Sequence, residues 1–137
     1  MSVAVKKAIF DKLTGDATLT GYLNAGTASV FNGLAPQESN APYVSFHKQA
    51  GTPAYTLSAR AWDNEIYTVK AITQGPSMAS GGTIADRISA VLTDQALTIA
   101  GATHLYLRRE SDIEYQETAA DGVIFNHVGA TYRVWSA

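Results

Sequence analysis

The sequence predicts an α+β domain: a mostly antiparallel sheet of four to five strands with two or three helices packed on one face. Three observations predict it. Two clear helical patterns, one N-terminal and one central, are separated by runs that alternate every second residue. The alternating runs follow one another through hairpin-like connections, giving the order α, β, β, β, α, β, β. Residues 1–137 also contain no repeat, low-complexity stretch or linker, so a chain of this length forms one domain around one core.

Ser2 to Leu13 reads as the first helix. Val5, Ile9 and Leu13 fall on one face beside Phe10, while Lys6, Lys7 and Asp11 take the other. Gly15 stops it, and Asp16 can cap a short second helix, Ala17 to Asn24, with Leu19 and Leu23 as its buried pair. A brief strand at Val30 and Phe31 precedes the turn residues Asn32 and Gly33. After Pro42, Val44 and Phe46 share one strand face, with Ser45 and His47 on the other. Glu65 to Thr73 is apolar on both faces, Ile66 and Ile72 one way and Tyr67, Val69 and Ala71 the other, which predicts a central strand covered on two sides.

Thr83 to Leu92 is the clearest helix, with Ile84, Ile88, Val91 and Leu92 as its stripe and Thr83 and Asp86 resembling a capping box. A start further back, through Gly81 and Gly82, is the alternative. Leu105, Leu107, Ile113 and Tyr115 mark a further strand or strand pair. The last strand carries Ile124, Val128, Ala130, Tyr132 and Val134 at one parity, with Gly129 as a candidate bulge.

Composition excludes several functions. Hydrophobic residues make up 46% and charged residues 16%, a low charge density that leaves surface able to lie against another subunit. A net charge of −2 offers no electrostatic grip on nucleic acid. With no cysteine there is no disulfide, thiol nucleophile or thiolate zinc site. The N-terminus lacks the apolar run of a signal peptide, and no segment approaches the roughly 20 apolar residues that span a bilayer. The expectation is a soluble intracellular domain without membrane contact.

The candidates for chemistry are weak. His47, His104 and His127 lie far apart and fit no metal-binding spacing, so solvated strand positions are the plainer reading. Ser80 to Arg87, SGGTIADR, puts two glycines before a helix start, where free N–H groups bind anions, but it lacks the lysine and spacing of a phosphate loop. No serine occupies a G-x-S-x-G elbow. In RRESDIEYQE, Arg108 to Glu117, the alternation of Glu110, Asp112 and Glu114 predicts three carboxylates on one strand face. Acid–base work there needs an enclosing pocket that the sequence does not announce; a solvated face or an acidic surface for a partner are the other readings.

Two segments point to assembly instead. AGTPAYTLSARAW, Ala50 to Trp62, lies between two strands and is too long for a tight hairpin turn of roughly 2–5 residues. It holds apolar residues that a disordered loop lacks, so it reads as an arm for a neighbouring subunit or as a loop docked on its own domain. FNGLAPQESNAPYVSF, Phe31 to Phe46, spends a long polar stretch with two prolines between short strands.

With these segments in order, the chain resembles the phage tail-terminator family, also called tail-completion or head–tail joining proteins of long-tailed phages and prophages. The likeness runs over nearly all residues. It rests on the helix pair, VFNGLAPQ with APYVSF between Val30 and Phe46, YTVKAIT at Tyr67 to Thr73, the helix with IADRI, and two final strands. The resemblance implies a homo-hexameric ring at the head-proximal end of the tail tube, in the virion, assembled in the host cytoplasm. Such a ring stops tube polymerisation, contacts the tail tube protein and a head-connector or head-closure protein, and lets DNA through without specific binding. It implies neither catalysis nor a cofactor. The expected subunit interface is Tyr55, Leu57, Ala59 and Arg60; the expected ring-face contact is Pro36, Gln37, Glu38 and Asn40; and Glu110, Asp112 and Glu114 are expected to line the channel. Another neck ring, such as a head-closure protein, and a small ligand-binding domain are the alternatives.

Overall fold

The computed structural model describes residues 2–35 and 40–137. The chain runs α1 (Ser2–Thr14), α2 (Ala17–Gly21), a 3₁₀ turn (Gly26–Ser29), β1 (Val30–Asn32), β2 (Tyr43–Tyr55), β3 (Arg60–Gln74), α3 (Ala79–Leu92), β4 (His104–Thr118) and β5 (Ile124–Ser136). The strands form one sheet in the order β1-β2-β3-β5-β4. β1 runs parallel to β2, and every other neighbouring pair is antiparallel. Two long hairpins, β2–β3 and β4–β5, thus lie side by side, as the α+β pattern predicts.

The core follows from strand parity. Cross-strand partners share a face, and the pairs Phe46↔Val69 and Val69↔Ala130 put one residue set on the helix side. Val44, Phe46, Tyr67, Val69, Ala71, Ala130, Tyr132, Val134 and Leu107 are all buried there. They join Val5, Ile9 and Leu13 of α1 and Ile84, Ile88 and Leu92 of α3 in a single apolar cluster. At one end of this face the burial turns polar: Glu65 is almost fully buried, accepts a hydrogen bond from the Tyr67 hydroxyl and lies 3.5 Å from Lys48 Nζ. A carboxylate removed from water persists only with such partners.

Several elements differ from their sequence patterns. α2 stops at Gly21, although Leu19 and Leu23 are both buried as expected. α3 takes the earlier start, at Ala79, so Thr83 lies inside the helix and donates to Ala79 O (3.3 Å) instead of capping it. Within this added turn Gly81 packs on Val128: a Cβ at that position would lie 3.0 Å from Val128 Cγ2. Gly129 marks no bulge; it pairs in register with both Lys70 and Ile113. Its glycine is required by close approach, since a Cβ would fall 2.1 Å from Val69 O. β3 is central, as predicted, but helices cover only one of its faces. On the other face Ile72 is buried and Ile66 is half-buried.

Candidate assembly surfaces

The segment read as a long loop is the far end of the β2–β3 hairpin. β5 ends beside Asp63, and β1 covers only Val44 to Phe46 of β2. Beyond those limits the two strands continue alone, through the pairs Ala54↔Trp62 and Tyr55↔Arg60. The result is a two-stranded arm that projects past the sheet. Its turn is closed by Thr56 N–H on Ala59 O (2.7 Å), and Ala59 N–H donates to Thr56 Oγ1 (3.2 Å). At the tip Tyr55 is 69% exposed and Leu57 fully so, with Ala59 exposed beside them. Large apolar side chains on an arm without a core of its own signal a surface meant to be covered.

Of the expected ring-face residues, Asn40 is exposed, while Pro36, Gln37 and Glu38 lie outside the described residues. The two ends of this connection are tied to the sheet and the helical layer. Gly33 N–H donates to Phe46 O (2.8 Å), Ser45 Oγ donates to Gly33 O (2.6 Å) and Asn24 N–H donates to Pro42 O (2.9 Å). The Ala41–Pro42 peptide is cis.

The expectation that Glu110, Asp112 and Glu114 share a face is corrected by a bulge. Arg109 pairs with Tyr132 and Ser111 with Thr131, leaving Glu110 as the extra residue. One inserted residue reverses parity along the rest of the strand. Glu110 therefore projects from the sheet face opposite the helices, where Arg133 donates to both its carboxylate oxygens. That guanidinium holds the Glu110 carboxyl below its ordinary range and reaches Asn64 Oδ1 (2.5 Å) as well. Asp112 and Glu114 lie on the helix side, opposite Ala130 and Val128. Asp112 accepts from Arg109 Nη2 (2.6 Å), and Arg109 also reaches Ser89 of α3 (3.4 Å). Asp112 and Glu114 thus keep a common face, and Glu110 alone is separated from them.

The open face holds a feature that the sequence reading passed over. Trp62 of the arm stacks on Trp135 at 6.0 Å, Tyr106 lies 4.9 Å from Trp135, and the Arg108 guanidinium sits 5.3 Å over Tyr106. Near the opposite end Tyr115 stacks on His127 at 4.5 Å, with Lys70 donating to the Tyr115 hydroxyl (2.9 Å). Trp62, Tyr106 and Trp135 lie at the strand parity opposite the core, which is the signal that could have found them, whereas Tyr115 shares the parity of Leu107 and reaches this face only through the bulge at Glu110.

The three histidines do not converge. His47 is exposed, and His127 has neither ring nitrogen hydrogen-bonded. Burial lowers the pKa of His104 and His127, helped by Lys12 and Lys70 respectively. Among the described residues, no group of three or more His, Asp or Glu is placed to hold a metal ion. The glycines of SGGTIADR lie inside α3, not ahead of it, and Arg87 forms an ion pair with Asp16. A further surface lies at the opposite edge from β4. There α1 and β1 enclose an open groove of about 370 Å³, lined by Val3, Lys6, Lys7, Phe10, Asn32 and Phe46.

The sequence profile of the family described as tail completion protein gp17 matches residues 7–135. The chain belongs to the tail completion protein gp17 family. Its fold is shared with a chain in the virion of a native gene transfer agent particle. The TM-score is 0.76 and the identity 16%, over 96% of this chain and 93% of that one. A second solved structure aligns with a TM-score of 0.53 and 16% identity, over 98% of this chain and 96% of the other. No curated protein matches the sequence significantly. Tail completion proteins are structural proteins of phage tails.

Proposed function

We propose that this tail completion protein forms a hexameric ring at the head-proximal end of a phage tail tube. There it ends tube polymerisation and joins the tail to the head, without catalysis. The family match over nearly the whole chain carries the reading. The projecting arm supports it: a closed ring needs head-to-tail contacts between two different patches, and Tyr55 and Leu57 supply one of them. Tyr55, Leu57, Ala59 and Arg60 meet a neighbouring copy, and Asn40 with its connection contacts a protein above or below the ring. The tail tube protein lies on one side of the ring and a head-connector or head-closure protein on the other, while DNA passes through the centre.

The test is electron microscopy of particles made with and without the protein. Tails lacking it should grow to irregular lengths and fail to join heads, and completed tails should show sixfold density at the head-proximal end. Tails of normal length that join heads without it would overturn the proposal. Purification with heads in place of tails would make it a head-closure ring.

A further inference from the structure

The ring reading names one patch but not how the bodies of neighbouring copies meet, and the two edges of the sheet bear on that. β1 and β4 are the outermost strands, at opposite ends of the order. At the β1 edge, Val3 and Phe10 border a groove whose rim is basic, with Lys6 and Lys7 beside it. Lys7 has a partner in Asp11 (2.7 Å), whereas no ion pair among the described residues occupies Lys6. At the β4 edge, the bulge puts Asp112 and Glu114 on the helix side, and Glu114 is exposed with no ion pair among the described residues. Asp112 is paired with Arg109 (2.6 Å) on the same side, as Lys7 is with Asp11, so the charges left over are Lys6 at one edge and Glu114 at the other, opposite in sign and both on the helix side of the sheet.

That shared side matters. Successive copies in a six-membered ring turn by only roughly 60°, so like faces stay on like sides. The helix layer of one copy then comes beside the helix-side residues of the next. β4 is also a long edge strand, and its bulge and charges discourage bare strand pairing, which leaves side-chain contact as the way to cover it. We infer that the ring closes through the α1–β1 edge of one copy against the β4 edge of the next, with Lys6 and Lys7 facing Asp112 and Glu114. The occupant of the groove is a second copy of this chain. The inference rests on the ring reading and adds the contact that fixes its direction.

Charge exchange tests it. Lys6→Glu and Glu114→Lys, each alone, should cut the yield of completed tails at least about tenfold, because like charges then meet across the contact. The double variant should recover most of that loss. Both positions lie outside the core, so thermal melting of each variant should match the parent. The chain has no cysteine, so a Val3→Cys, Glu114→Cys variant reports only its own contact. Oxidising completed tails that carry it should give a ladder of linked copies on a denaturing gel. Completed tails with sixfold density but no ladder, and no recovery in the double variant, overturn the edge contact while leaving the ring intact. Normal tail yield from Glu114→Lys with slowed DNA release would place that residue in the channel, and equally overturn it. Absence of the protein from tails removes the ring reading and this contact together.

Discussion

Asp16 and Arg87 meet through two hydrogen bonds, of 2.6 and 2.8 Å, across 71 residues of sequence. The same Asp16 carboxylate accepts Leu19 N–H (2.9 Å) at the start of α2. One side chain therefore begins one helix and fastens it to another. Asp16→Ala should lower stability by about 1–2 kcal/mol, as cap and ion pair go together. Asp16→Asn, which keeps a capping oxygen, should cost less. The Arg87 hydrogen bond holds the Asp16 carboxyl below its ordinary 3.8, with burial opposing. Folding is therefore favoured in full above that value, and the benefit is lost as pH falls through the lowered value. Denaturant titrations in acid should show a larger loss in the parent than in Asp16→Asn, which keeps the part due to the likewise lowered Glu110.

Gly129 and Gly81 should respond oppositely to alanine. At Gly129 the new Cβ meets backbone, 2.1 Å from Val69 O and 2.5 Å from Lys70 Cα, which cannot yield without parting β3 from β5. A loss of about 3 kcal/mol is expected. At Gly81 the Cβ meets a Val128 methyl at 3.0 Å, which can shift, and alanine favours a helix over glycine by about 1 kcal/mol. Gly81→Ala should be close to neutral. Chemical denaturation of the two variants decides it, and equal losses would contradict the packing described.

His127 should make stability fall between neutral and mildly acid pH. Burial, then Lys70, lowers its pKa from 6.5, while Glu117 opposes them. The unfolded chain takes up its proton near 6.5 and the folded chain only at lower pH. Acidification through that window thus favours unfolding, and the loss ceases once the folded imidazole also titrates. His127→Gln should flatten part of the slope. His104, whose pKa is lowered by burial and Lys12, accounts for a remainder of the same sign. A variant with the parent's slope would show that His127 titrates alike in both states.

Changing Tyr55 and Leu57 together to Asp should leave the isolated protein's stability within about 0.5 kcal/mol, because neither side chain contributes to the core. Completed tails should nevertheless become scarce, since interfaces concentrate their energy in a few large anchors. Melting curves and counts of joined particles separate the two effects. Unfolding of the double variant would mean that the arm tip packs on its own domain.

Much of the fold was legible because its signals are local. Val5, Ile9 and Leu13 announce α1, and the parity of Val44 and Phe46 announces the buried face of β2. What escaped depended on distant backbone. Ala50 to Trp62 looked like a loop because Gly51, Pro53 and Ala54 are poor strand formers, yet their partners on β3 hold them extended. Gly129 looked like a bulge because nothing in its neighbours along the chain reveals how near β3 passes. Glu110, Asp112 and Glu114 were grouped by counting in twos, which holds only while the ladder stays regular.

That broken count gives β4 an unusual grammar. Before Glu110 the odd-numbered Leu107 and Arg109 look toward the helices; after it the even-numbered Asp112 and Glu114 do. The strand is two phrases of opposite phase joined at one residue. Deleting Glu110 would not simply remove a carboxylate. It would also remove the bulge: Arg109 and Ser111, already paired with the consecutive Tyr132 and Thr131, would become neighbours, and both segments would keep their faces. Loss of one residue from the regular run after the bulge would instead turn a segment inside out, so the strand absorbs a one-residue shortening at Glu110 that it does not absorb a few positions on.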